Sequence, residues 1–142
     1  MLTGVYLGFD FGYKRIGVAV GQRITGKAQP LSMIAAKNGV PSWDVVTKLI
    51  QQWNPQAFIV GLPKCLNGSE QYTTNAVRIF KSQLIQRFSL PIYLVDERLT
   101  TIEARSQLFS SGGYKKIKKS SIDSFAACVI LEQWLQNFME FE

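Results

Sequence analysis

Two short runs, "AFIVGL" at 57–62 and "IYLVDE" at 92–97, are apolar almost throughout, and each follows a stretch with helical periodicity. A strand with one face in water alternates apolar and polar residues, so runs that do not alternate belong to a sheet covered on both faces. Helices layered on a largely parallel sheet provide that cover. Alternation of helix and strand then implies right-handed crossovers between neighbouring strands.

The flanking segments fit this frame. "PSWDVVTKLIQQW" places Trp43, Val46, Leu49, Ile50 and Trp53 on one helical face, with Ser42 available to cap its start and Asn54-Pro55 to stop it. A second helix opens at Ser69 and repeats Tyr72, Ala76, Phe80, Leu84 and Phe88 every four residues. "TTIEARSQLF" reads as a third, with Thr100 and Glu103 forming a capping box. The last starts near Ser120 and runs through "IDSFAACVILEQWLQNF". Upstream, "GVYLGF" and "IGVAV" form an antiparallel hairpin around "GYKR", and "KAQPLSMIAA" returns as a third strand with Pro30 marking an edge or a bulge. The expectation is one α/β domain over 1–142: a mixed five-stranded sheet, three antiparallel strands then two parallel, flanked by helices.

Composition narrows the chemistry. The 142 residues suit one domain, and 46% hydrophobic with 18% charged residues argues for a packed core. No apolar run approaches the roughly 20 residues that span a bilayer, and no export leader is evident, so a cytoplasmic protein is expected. Cys65 and Cys128 lack the spacing of a zinc or redox motif and read as reduced packing residues. Histidine is absent, which excludes Ser-His-Asp triads, Cys-His pairs, imidazole-ligated zinc and histidine bases. A formal charge of +6 suits a polyanionic partner.

Catalysis must therefore lean on carboxylates, lysines, hydroxyls or a metal held by oxygen ligands. Asp10 ends the first strand, Asp96 and Glu97 end a later one, and Asp123 lies in the first turn of the last helix. Strand ends on one side of an open α/β sheet form its usual site, so these carboxylates can converge. Converging carboxylates repel, and a hard divalent cation relieves the repulsion. Successive strand residues face opposite ways, so one of Asp96 and Glu97 faces the cluster; Glu97 is preferred, with Asp96 close behind. Each has a plainer alternative: Asp10 as a turn residue bonded to nearby amides, Asp123 as the acidic partner of a Ser120 capping box. Glu103 is assigned to its cap, and Asp44, Glu132, Glu140 and Glu142 to solvated surfaces or the tail.

Substrate contacts are expected from Lys115, Lys116, Lys118 and Lys119, four cations within five residues, and from Lys14, Arg15, Lys64 and Arg98 near the acidic positions. A solvated charge run is the competing account of the lysine loop. "GLPKCLNGS" lacks the P-loop pattern, so the Gly61-Leu62-Pro63 segment reads as a structural turn.

Together "GFDFGYKRIGVAV", "IVGLP", "VDERLTTIEAR" and "IDSFAACVIL" resemble the YqgF family, also called RuvX, over nearly the whole chain. The resemblance implies an RNase H-like fold related to the junction resolvase RuvC, and nuclease activity in processing the 5′ end of pre-16S rRNA. It implies acidic roles for Asp10, for Glu97 within "DER" and for Asp123 within "IDSFAA", holding one or two Mg²⁺ or Mn²⁺ ions; it leaves Asp96 against Glu97 open. The expected partner is structured RNA, with four-way DNA junctions as an alternative, no membrane, and a monomer or homodimer. A non-catalytic RNA-binding protein is the reading from another class. Sugar-kinase and actin-like ATPases share a similar hairpin, but they bind nucleotide between two lobes, and this chain has the length of one.

Overall fold

The structure, a computed structural model, describes residues 4–62, 72–96 and 124–140. Strands β1 (Val5–Asp10) and β2 (Arg15–Gln22) form the expected hairpin, and β3 (Lys27–Lys37) returns antiparallel to β2. β5 (Ala57–Leu62) pairs parallel to β1, and β6 (Ile92–Asp96) parallel to β5. The sheet has six strands rather than five, in the order β4 (Val40–Pro41), β3, β2, β1, β5, β6. The extra strand, β4, folds back on Ala36 and Lys37 through Asn38 and Gly39, whose φ angles are 53° and 83°. Two consecutive positive φ values make the Asn-Gly turn that matches the twist of a tight hairpin.

Helices α1 (Trp43–Trp53) and α2 (Tyr72–Phe88) cover one face. Their expected stripes deliver Val46, Phe80 and Leu84 to a core with Leu7, Phe9, Phe11, Ile16, Val18, Phe58 and Val60. Phe80 meets Phe9 edge-on at 5.7 Å and Phe11 at 5.5 Å between ring centres. Each such buried ring contributes about 1.5–3 kcal/mol by leaving water. Asn54, at φ 47°, ends α1 with its N–H on the Ile50 carbonyl, as the Asn-Pro pair suggests. Ser42 occupies the N-cap position, yet its hydroxyl makes no capping bond, so the helix start rests on packing.

Helix α3 (Phe125–Glu140) covers the other face, placing Ala127, Ile130, Leu131 and Leu135 against Tyr6, Ala19, Ala57 and Ile59. It can lie close because Gly8 has no side chain: a Cβ there would stand 2.9 Å from Leu131 Cβ. The helix does not run unbroken from Ser120, because Ser124 is a turn residue and the helix begins at Phe125. Glu132, expected in solvent, is part-buried and accepts a 2.9 Å hydrogen bond from the Ala28 N–H on β3. The expected helix over 100–109 lies outside the described residues. No described helix is long and apolar enough to cross a membrane.

Candidate functional site

Asp10 is the last residue of β1 and is half-buried. Its parity along the strand is decisive. Leu7, Phe9 and Phe11 face the α1–α2 core, while Tyr6 faces α3, so Asp10 points to the α3 side. Its register partners are Gly17 on β2 and Gly61 on β5. Both are glycines, so no side chain stands directly opposite the carboxylate on either neighbouring strand. Gly in a strand interior costs packing and conformational entropy, and it marks a place where something else approaches the backbone closely. Gly61 and Leu62 therefore belong to the end of β5, not to the turn expected there. Among the described residues the Asp10 carboxylate accepts no hydrogen bond and joins no ion pair, so nothing described supports a turn-capping role for it.

The start of α3 is tied to this spot. Between Ile16 and Val18 the register of β2 on β3 slips, since the partners Ile34 and Leu31 are three residues apart against two. Such bulges leave a backbone group outside the ladder. The Val18 N–H instead donates to Ser124 Oγ at 2.9 Å, in a fully buried bond spanning 106 residues of sequence. Ser124 thus serves the sheet with its side chain and opens the helix with its carbonyl, which accepts from the Cys128 N–H. Position 124 is pinned beside Gly17, the register partner of Asp10. Nothing in a serine ahead of a helical run distinguishes this tertiary role from an ordinary N-cap, and only the bulge reveals it.

On the other side, Asp96 pairs in register with Leu62, one residue beyond the Gly61–Val95 pair. Strand β5 separates it from Asp10, about 10 Å of backbone spacing. Val95 packs with the α3 core, whereas Leu94 packs with the α1–α2 core. Glu97 and Asp123 lie outside the described residues, and among the described residues no three potential ligands come together as a metal site. Of the expected phosphate contacts, Lys14 and Arg15 are exposed at the β1–β2 turn; Lys64, Arg98, Lys115, Lys116, Lys118 and Lys119 lie outside the described residues.

The turn carrying those two cations is braced from behind. The Ala36 N–H donates to the Lys14 carbonyl at 2.8 Å and the Gly39 N–H to the Tyr13 carbonyl at 2.9 Å. Gly39 also packs against the ring of Phe11, where a Cβ would come within 2.8 Å. Cys128, the free cysteine of α3, is buried; burial first, and then the charge of Glu132, push its thiol up, which removes it from nucleophilic chemistry.

A family model for RuvX, described as a Holliday junction resolvase, matches residues 4–137. A Legionella pneumophila (strain Paris) protein named "Putative pre-16S rRNA nuclease" is 67% identical over 137 residues, covering 96% of this chain and 99% of its own. A Klebsiella pneumoniae (strain 342) protein of the same name is 50% identical over 136 residues, covering 96% and 99%. Among solved structures, Thermus thermophilus RuvC in complex with Holliday junction substrate superposes with a TM-score of 0.61 at 14% identity, covering 96% of each chain. The fowlpox virus Holliday junction resolvase gives 0.58 at 9% identity, over 94% of this chain and 99% of that one. At such identities these neighbours speak for the fold, which is the RNase H-like one expected.

Proposed function

The chain belongs to the RuvX family, and on that premise we propose that it is a metal-dependent nuclease of one domain, acting in the cytoplasm on the 5′ end of pre-16S rRNA. The observation that carries the reading is the placement of Asp10 between Gly17 and Gly61, beside the anchored start of α3. Among the described residues the carboxylate has no partner, and no side chain stands directly opposite it on either neighbouring strand, which favours a cation beside it.

Asp10, Glu97 and Asp123 are the proposed ligands. Consecutive Cα atoms are about 3.8 Å apart, so the Ser124 anchor supports a place for Asp123 near Asp10. Val95 shares the face of Asp10, and a strand continuing its alternation would bring Glu97, not Asp96, to that face. Three carboxylate oxygen donors suit Mg²⁺ or Mn²⁺, one ion or two. When bound, such ions supply charge neutralisation and Lewis acidity at the scissile phosphate. The chain's own residues do the rest. Asp10 would hold the cation at the end of β1, Lys14 and Arg15 hold neighbouring phosphates from the braced turn, and the lysines at 115–119 add a second electrostatic contact. Histidine has no part to play.

Pre-16S rRNA is favoured as substrate because the relatives at 67% and 50% identity carry that name. The family description and the RuvC likeness favour a second substrate, the four-way DNA junction, which calls for a symmetric dimer to place paired cuts. Incubating the purified protein and Asp10→Asn with pre-16S rRNA and with a four-way junction, with and without Mg²⁺, separates the readings. We expect Mg²⁺-dependent RNA cleavage that falls at least about a thousandfold in the variant, the equivalent of roughly 4 kcal/mol. Full cleavage by Asp10→Asn contradicts the mechanism. Salt-sensitive RNA binding with no cleavage under any metal makes this an RNA-binding protein instead.

A further inference from the structure

On the α3 side, Gly17 beside the Ser124 anchor is buried, and the face becomes exposed beyond it, from Arg15 across β3 toward β4. Gly17, the partner of Asp10, lies on this face and has no side chain. Arg15, two residues on, pairs with Ala35, and both are exposed, whereas their neighbours Ile16 and Ile34 pair on the buried side. Lys37 shares the face of Ala35, is exposed, and pairs with Val40, which is 48% exposed. No acidic residue interrupts the strip among the described residues.

We propose that this strip is a track for the single nucleic-acid strand that flanks the cleaved bond, with Lys37 as a phosphate contact and Ala35 and Val40 as its apolar floor. The inference rests on the nuclease reading for its direction, because the track leads away from Asp10. Two arguments select the occupant. The strip begins at exposed Arg15, two residues from Gly17, the register partner of Asp10. Its charged side chains are all cationic, Arg15 and Lys37 on the face and Lys14 at the turn beside it, which matches phosphate. The small side chain of exposed Ala35 lets a strand lie against the sheet.

The test measures binding of a single-stranded RNA from the processing region by fluorescence anisotropy across a salt series, in an Asp10→Asn background so that nothing is cut. Lys37→Ala should weaken binding several-fold at low salt and reduce the slope of log affinity against log salt by about 0.7, the loss of one phosphate contact. Ala35→Glu should weaken it further by placing a carboxylate on the floor. Lys48→Ala on α1, at the opposite face, removes the same charge and should leave affinity unchanged. Should Lys37→Ala and Ala35→Glu bind like their parent, or Lys48→Ala match Lys37→Ala, the track is refuted. Should the wild-type protein fail to cut RNA while the Lys37 and Ala35 effects persist, the nuclease reading falls and the track stands.

Discussion

The two faces of the sheet are built differently. The α1–α2 face is packed with large rings, Phe9, Phe11, Phe58 and Phe80, and this core continues past the end of β1 to Phe11. The α3 face is made of small and aliphatic residues, Ala19, Ala57, Ala127 and Leu131, with Gly8 admitting the helix closely. The described part of this face reaches the Ser124 anchor, beside which stand Asp10 and the glycines in register with it. One face carries stability along its whole length. The other holds, beside the Ser124 anchor, a charged side chain with no partner among the described residues, Asp10. The difference teaches that the strand end carrying Asp10 is braced from the opposite face, by Phe9 and Phe11.

This contrast can be broken at its strong side first. Phe80→Ala removes a ring that touches Phe9 and Phe11, and should cost about 3–5 kcal/mol in chemical denaturation. Activity per folded molecule should survive at temperatures where the variant remains native. A smaller loss of stability with a larger loss of activity is expected on the other face. Ser124→Ala strips the acceptor from the buried Val18 N–H and should cost about 1–3 kcal/mol. Because it frees the start of α3 beside Asp10, cleavage should fall beyond what the unfolded fraction explains, as kcat with KM little changed. Equal proportional losses in both variants would erase the distinction between the faces.

Cys128 supplies the smallest effect. Its folded thiol value is raised by burial and then by Glu132, so the native protein favours the protonated form. A raised value means this contribution is fully present below the ordinary thiol range and declines as pH climbs above it, where the unfolded chain ionises first. Iodoacetamide should therefore leave the native thiol unmodified near neutral pH and modify it on unfolding. Rapid native labelling would show the α3 face to be looser than described.

Much of this plan was legible beforehand, and the exceptions have physical causes. Apolar runs announced β5 and β6, and the stripes of α1 and α2 face the core their spacing implied. The strand β4 was missed because it has two residues, and its only signal is the Asn38-Gly39 dipeptide between residues of no marked pattern. Gly61 read as a turn because a proline follows two residues later, although register places it inside the sheet beside Asp10. Glu132 and Ser124 bond to backbone N–H groups 104 and 106 residues away. Local patterns carry no trace of such partners. The position of Asp10 at a strand end was readable, whereas the glycines on both sides of it became meaningful only through register.

The central claim is that Asp10, Glu97 and Asp123 share a cation at the open end of the α3 face. Mn²⁺ binding followed by electron paramagnetic resonance tests it without substrate, comparing the wild type with Asp10→Asn, Glu97→Gln and Asp123→Asn, and with Asp96→Asn as the rival on β6. We predict that each of the first three weakens binding by at least about tenfold, or about 1.4 kcal/mol, while Asp96→Asn leaves it near the wild-type value. Wild-type affinity in Asp10→Asn or Asp123→Asn would contradict the account.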